Sequence, residues 1–231
     1  MCLLPDGMSG HFWPSLRDWW WSHARQYPWR QAGVSAYEVL LAEVLLKRTT
    51  ATAAARVFPL VGSEYPTPAS LALADASEVE ALLEPVGLHR QRARSLKEIG
   101  ICLVQEHGGC VPDTLEALER VPHLGPYSSR AILSFGCGLP YAVVDSNVVR
   151  VIGRVSGREQ AQVKVRAVQA AVDLLLPKTE HREFNWAMLD LGALVCRYVR
   201  PRCSECPIRV LCQSEEFAHA AVASPGKVLR T

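Results

Sequence analysis

Thr114-Leu-Glu-Ala-Leu-Glu-Arg120, Val121-Pro-His-Leu-Gly-Pro126 and Tyr127-Ser-Ser-Arg-Ala-Ile-Leu-Ser134 are the three consecutive stretches whose reading decides the fold. The first repeats apolar residues at three- and four-residue intervals, as a short amphipathic helix does. Proline and glycine concentrate in the second, which breaks the helix, and the third resumes the helical period. Residues 114–134 therefore read as a helix-hairpin-helix. A helix restarting after so tight a break carries unpaired backbone N–H groups, and these, with the helix dipole, make a seat for a phosphate oxygen. A grip of that kind holds a nucleic-acid backbone and does not read bases. His123, Leu124, Gly125 and Ser128 are the residues expected to present it.

Helical periodicity extends in both directions from the hairpin. It covers Ser35 to Arg48, Thr50 to Leu60, Thr67 to Glu84, Arg90 to Glu106, Ser146 to Arg154 and Val163 to Leu175. Ser35, Thr67 before Pro68, and Asp113 followed by Glu116 are expected caps, while Gly87, Gly108-Gly109 and Gly136 to Gly138 are expected stops. Few runs alternate as strands do, so the fold class is all-α. Between Trp13 and Trp29 lie five tryptophans, read as a helix and turn packed on the rest of the protein, or as a stacking platform for bases. The adjacent Trp19, Trp20 and Trp21 cannot share one helix face, so at least one is expected at the surface.

With 49% apolar and 21% charged residues over 231 positions, the chain is expected to form one or two ordinary cores. No apolar run reaches the roughly 18–20 residues of a membrane span, and no basic start with an apolar run marks a secretory signal. A cytoplasmic protein, nucleoid-associated in a prokaryote, is expected. The net charge of +2 does not identify a nucleic-acid partner by itself. His89 to Arg94 and the stretch holding Arg150, Arg154, Arg158, Lys164 and Arg166 are locally basic, suited to phosphate contacts or to a solvated helix face.

Eight cysteines in a reducing compartment point to metal binding and buried thiols, not disulfides. Cys196, Cys203, Cys206 and Cys212 follow C-x6-C-x2-C-x5-C, a ligand set for one metal centre, zinc or iron–sulfur. Arg200, Arg202 and Arg209 make that loop basic. Cys2, Cys102, Cys110 and Cys137 lack ligand-like spacing and read as packing or surface thiols. Between hairpin and cysteines, Tyr141-Ala-Val-Val-Asp-Ser-Asn-Val-Val-Arg150 delivers one carboxylate, Asp145, to a helix start, where an isolated aspartate would simply be a cap.

The hairpin, Val-Asp-x-Asn-x-x-Arg and the cysteine run, in that order, resemble the helix-hairpin-helix DNA glycosylases with an iron–sulfur cluster, the group of endonuclease III and the MutY-type adenine glycosylases. The resemblance covers about Trp19 to Cys212. It implies two helical lobes with the active-site cleft between them. One is a six-helix barrel over 30–139 carrying the hairpin; the other is a cluster domain built from 12–29 and 140–216, with 1–11 and 217–231 flexible. It also implies a [4Fe-4S] cluster on Cys196, Cys203, Cys206 and Cys212, which shapes a basic loop and takes no part in bond cleavage. The implied partner is double-stranded DNA with a mismatched or damaged base, bound by a monomer.

The chemistry follows from the same resemblance. A base inside a duplex must be flipped out to be attacked. Breaking the glycosidic bond builds oxocarbenium character that a carboxylate stabilises, and Asp145 is that carboxylate. Bifunctional members place an imine-forming lysine eighteen residues earlier; here Tyr127 stands there, so no efficient lyase step is expected. Tyrosine at this place resembles the thymine glycosylases acting on T opposite G, although Tyr127 could also be a packed aromatic. Ala42-Glu-Val-Leu-Leu-Lys-Arg-Thr-Thr-Ala51 resembles the same subfamily. Glu43 stands at its pocket carboxylate, and Arg48 and Thr49 at the segment that fills the gap left by the flipped base.

The roughly 19 residues after Cys212 are too few for the second domain of MutY-type enzymes. One departure concerns the hairpin, usually Leu-Pro-Gly-x-Gly: His123 occupies a glycine place and Pro126 removes one N–H. The expected activity is monofunctional removal of thymine and uracil opposite guanine. An adenine glycosylase and a non-catalytic lesion-sensing DNA-binding protein are the alternatives.

Overall fold

A computed structural model describes residues 3–4, 7–158 and 162–214. Among them are eleven α-helices and no strand. The expected tail 217–231 and Cys2 lie outside the described residues. The helices are α1 (Ser9–His23), α2 (Ala36–Leu46), α3 (Ala51–Glu64), α4 (Pro68–Leu73), α5 (Ala76–Leu83), α6 (His89–His107), α7 (Leu115–Arg120), α8 (Pro126–Ala131), α9 (Ser146–Val155), α10 (Val165–Leu175) and α11 (His181–Leu194). The chain divides into two compact units, Arg25–Val143 and the pairing of Met1–Ala24 with Val144–Thr231.

The Arg25–Val143 unit is organised around α2 and α6. Leu96, Ile99 and Leu103 of α6 and Leu40, Leu41 and Leu45 of α2 are wholly buried, and α6 packs on α4 and α5 while α2 packs on α3 and α6. Side chains set where the helices begin. Ser35 accepts from the Glu38 N–H while Glu38 reaches back, a complete capping box, and Thr67 with Ser70 repeats it on α4. The stretch Thr67 to Glu84 is two helices, not one: Asp75 accepts from the Ser77 N–H and restarts the chain as α5. Similarly, Thr114 and not Asp113 caps α7.

Gly87 and Gly108 stop their elements with φ of 67° and 59°, as glycine stops do. Gly136 has a different use. It ends a π-turn, Ile132–Gly136, that lies against the start of α2, where an added Cβ would stand 2.6 Å from Ala36 Cα. Backbone cannot yield there, so Gly136→Ala should destabilise the fold by about 1–3 kcal/mol. Thermal denaturation would register this as a drop of about 2–4 °C per kcal/mol for a chain of this size.

In the second unit α1 packs on α11, and α9 packs on α10 and α11. Phe12, Leu16 and Phe184 are wholly buried. Two indoles of α1 donate to carboxylates at and on α11, Trp13 Nε1 to Glu180 at 3.1 Å and Trp20 Nε1 to Asp190 at 3.1 Å. Trp21 is the tryptophan left outside, at 62% exposure, as three adjacent indoles on a helix require.

Candidate active site and cysteine loop

Asp145 caps α9, and both of its oxygens are in use: Oδ1 accepts from the Val148 N–H at 2.8 Å and Oδ2 from Asn147 Nδ2 at 2.6 Å. The Asn147 amide is itself fixed, because its Oδ1 accepts from Arg150 Nη2 at 2.8 Å. Arg150 is buried and donates onward to the Gly192 and Cys196 carbonyls, each at 2.8 Å. Gly192 permits this closeness, since a Cβ there would stand 2.6 Å from Asn147 Cβ. One turn later Arg154 donates to the Arg197 and Tyr198 carbonyls and approaches Cys196 Sγ at 3.5 Å. Arg150 and Arg154, read from sequence as phosphate-facing or solvated, instead tie the cysteine loop to the helix that begins at Asp145.

The four cysteines Cys196, Cys203, Cys206 and Cys212 line one cavity together with Arg154 and Arg209. Two short turns, Cys203–Glu205 and Arg209–Leu211, bend the loop around it. Burial pushes the Cys206 thiol up to about 12, and the other three sulfurs reinforce the shift. Cys212 moves the same way, again chiefly by burial. A metal ion bound among the four sulfurs would reverse these shifts, because a coordinating thiol is deprotonated.

In the Arg25–Val143 unit, Glu43 is 6% exposed, on the buried side of α2 and not in solvent. Lys47, one turn on, donates to the His123 carbonyl. Burial holds the Lys47 ammonium below its ordinary range, with Glu43 opposing and Arg92 adding to the effect. Arg92 is itself buried, donating to the Val44, Leu45 and Lys47 carbonyls and to Thr49 Oγ1. It caps the C-terminal end of the helix that carries Glu43, although its sequence setting suits a phosphate contact or a solvated helix face.

The expected hairpin forms from α7, the turn Val121–Gly125 and α8. His123 adopts φ 63° in the place where glycine was anticipated, and its ring nitrogen meets Glu98 at 2.5 Å. Leu124 and Ser128 are buried, and Tyr127 is half-buried. Among the described residues the N–H groups of Gly125 and Ser128 have no acceptor. The Thr49 hydroxyl is used internally, donating to the Val86 carbonyl at 3.1 Å. Arg48, Leu88 and His123 all have positive φ and all line one cavity beside Lys47 and Arg92. Left-handed backbone at non-glycine residues costs about 1–3 kcal/mol each and gathers at functional sites. Leu88, 47% exposed in this setting, was not singled out from sequence; an apolar residue between Gly87 and a helix start was the available signal.

The family model for the HhH-GPD superfamily of base excision DNA repair proteins matches residues 41–176. The chain belongs to this superfamily. It is 33% identical over 193 residues to the thymine-DNA glycosylase of Aeropyrum pernix, covering 81% of this chain and 86% of that one. To the adenine DNA glycosylase of Mycobacterium tuberculosis it is 36% identical over 197 residues, covering 84% of this chain but 64% of that longer protein. The solved structure of a thermostable thymine-DNA glycosylase superposes with a TM-score of 0.85 at 29% identity, covering 90% of this chain and 97% of that one. The all-α expectation and the family resemblance therefore hold. No helix among the described residues is long and apolar enough to cross a membrane.

Proposed function

We propose that the protein is a monofunctional DNA glycosylase that removes thymine, and uracil, mispaired with guanine in double-stranded DNA. The observation that carries this reading is Asp145, a carboxylate fixed through both oxygens at the start of α9 in a chain similar to thymine-DNA glycosylases. The target nucleotide is flipped out. As the bond between C1′ and the base lengthens, Asp145 stabilises the positive charge on the sugar. Water adds to C1′, its proton ends on the departing base, and the products are free thymine and an abasic site. Glu43, buried on α2, hydrogen-bonds the pyrimidine edge or orients the water. Uracil, lacking the 5-methyl group, enters the same pocket. Tyr127 cannot form an imine with the sugar, so the strand stays intact.

In this reading the Arg25–Val143 unit grips DNA. The Gly125 and Ser128 N–H groups receive a phosphate, Arg48 and Leu88 occupy the gap left by the flipped base, and the exposed leucine acts as the apolar wedge. The other unit is the cluster domain. Its four cysteines hold a [4Fe-4S] cluster, which when bound draws the loop together and adds local charge. Four thiolates on one zinc ion at about 2.3 Å would lie about 3.8 Å apart. Among the described residues no three of these sulfurs lie within 4.8 Å of one another, which favours the larger cluster.

Strand scission assays on T·G, U·G, A·G and thymine-glycol duplexes, with and without hot alkali, test the reading. Cleavage at T·G and U·G only after alkali is expected. Intact T·G and U·G duplexes under single-turnover conditions would defeat it, and scission without alkali would defeat the monofunctional assignment. An adenine glycosylase is the second reading, supported by the mycobacterial relative and by a buried Glu43 able to protonate a purine. Cleavage confined to A·G would select it.

A further inference from the structure

We propose that Cys102, Glu106 and His107 form a metal site for a zinc-class divalent ion at the C-terminal end of α6, separate in the chain from the four-cysteine loop. One ligand atom from each of these three residues lies within 4.8 Å of the other two, and no other three histidine, cysteine or acidic residues among those described meet this closeness. Cys102 and Glu106 are one helical turn apart, and His107 follows directly. The donors are a thiol, a carboxylate and an imidazole, the mixture that tetrahedral zinc accepts and that magnesium or calcium does not.

A second observation points the same way. Nε2 of His107 is buried without a hydrogen-bond partner. A buried ring nitrogen left unsatisfied is costly, and a bound cation is one of the partners that removes the cost. The location adds to the attraction. Helix α6 runs nineteen residues and its C-terminal end carries partial negative charge, so a cation is favoured over its last turn. Cys102 is buried whereas Glu106 is exposed, so the ion would sit at the boundary between core and solvent and could exchange. Gly108 and Gly109, with φ of 59° and 78°, then turn the chain so that Cys110 and Asp113 line a cavity with His107. A fourth ligand would come from solvent or from one of these side chains. This site does not depend on the activity proposed above. Its place on the long central helix of the Arg25–Val143 unit suits a stabilising ion.

The test is zinc titration of the full chain with its cysteine-loop cofactor in place, followed by calorimetry while the cofactor's visible absorption is monitored. One zinc per chain, bound with Kd below about 10 μM, is expected, with no bleaching. The zinc X-ray absorption edge should show sulfur at about 2.3 Å together with nitrogen or oxygen at about 2.0–2.1 Å. His107→Gln and, independently, the exposed Glu106→Gln should each weaken binding by about tenfold or more. Each should also remove the zinc-induced rise in Tm expected of the parent. Circular dichroism verifies that each variant is folded, and the surface position of Glu106 makes its substitution the safer of the two. Absence of zinc binding would overturn the proposal. So would binding that is unchanged in both variants, or that occurs only as the visible absorption bleaches.

Discussion

Asp145→Asn should lower single-turnover release of thymine from T·G duplexes by roughly 10²–10⁴-fold while affinity for the duplex is kept. The substitution removes the charge proposed to face the sugar and leaves the shape. Asparagine remains a good helix cap, so the Val148 N–H keeps an acceptor. The amide nitrogen then faces Asn147 Nδ2, donor against donor. Asn147 cannot turn to relieve this, because its oxygen is held by Arg150. A cost of about 1–3 kcal/mol in stability follows from the unsatisfied pair, too little to unfold an ordinary domain. A rate within about tenfold of the parent would remove Asp145 from its role. Gly192→Ala supplies an independent check: its Cβ would drive Asn147 away and leave the carboxylate in place but poorly held. It should slow release less than Asp145→Asn while leaving duplex affinity unchanged; a loss equal to that of Asp145→Asn would mean that orientation, not charge, dominates.

Local rules made much of this architecture legible in the sequence. Ser35, Thr67 and Asp145 cap helices because short polar side chains satisfy N–H groups that no carbonyl within the helix can reach, and Gly87 and Gly108 stop elements because they take positive φ. Departures occur where long-range partners decide. Helix α11 was not anticipated from periodicity because Asn185 and Asp190 interrupt its apolar face, and both are wholly buried. Asp190 is satisfied by an indole 170 positions away, a partner that no local pattern reveals. The arginines show the same limit. Arg92, Arg150 and Arg154 looked like surface charge, yet they satisfy carbonyls 42 to 48 residues distant. Arginine suits this task because its five donors reach several acceptors at once. The break at Asp75 is hidden in the sequence for the opposite reason: apolar spacing continues across it, and one side-chain hydrogen bond outweighs that spacing. Leu88 and Cys102 had no motif to mark them, and only strained backbone in one case and clustered donors in the other bring them forward.

Cys206→Ser should sharply lower the iron content and, with it, the rate of base release, although no cysteine of the loop is assigned to the reacting atoms. The loop has little core of its own. Tyr198, Val199 and Val210 are 74%, 69% and 89% exposed, while only Val195 and Ile208 are buried apolar anchors near the ligands. A metal held by the four sulfurs would then be the main source of the loop's order, as in small metal-dependent domains whose ligand binding energy is folding energy. Its carbonyls at Cys196, Arg197 and Tyr198 are in turn the acceptors for Arg150 and Arg154. If the loop loosens, Arg150 loses one of its carbonyl acceptors, Asn147 is held less firmly, and Asp145 gains freedom at the moment when its position matters. Elemental analysis of anaerobically purified parent protein should give four irons per chain, and the serine variant far fewer. Proteolysis should cut the variant first between Val195 and Ser214, whereas the same segment of the parent resists. A variant that lost iron yet kept the parent's rate of base release would break the chain of support from cysteine loop to Asp145. One zinc in place of four irons would replace the cluster with a single ion and leave the mechanical argument standing, because Arg150 and Arg154 contact loop carbonyls whichever metal the sulfurs hold.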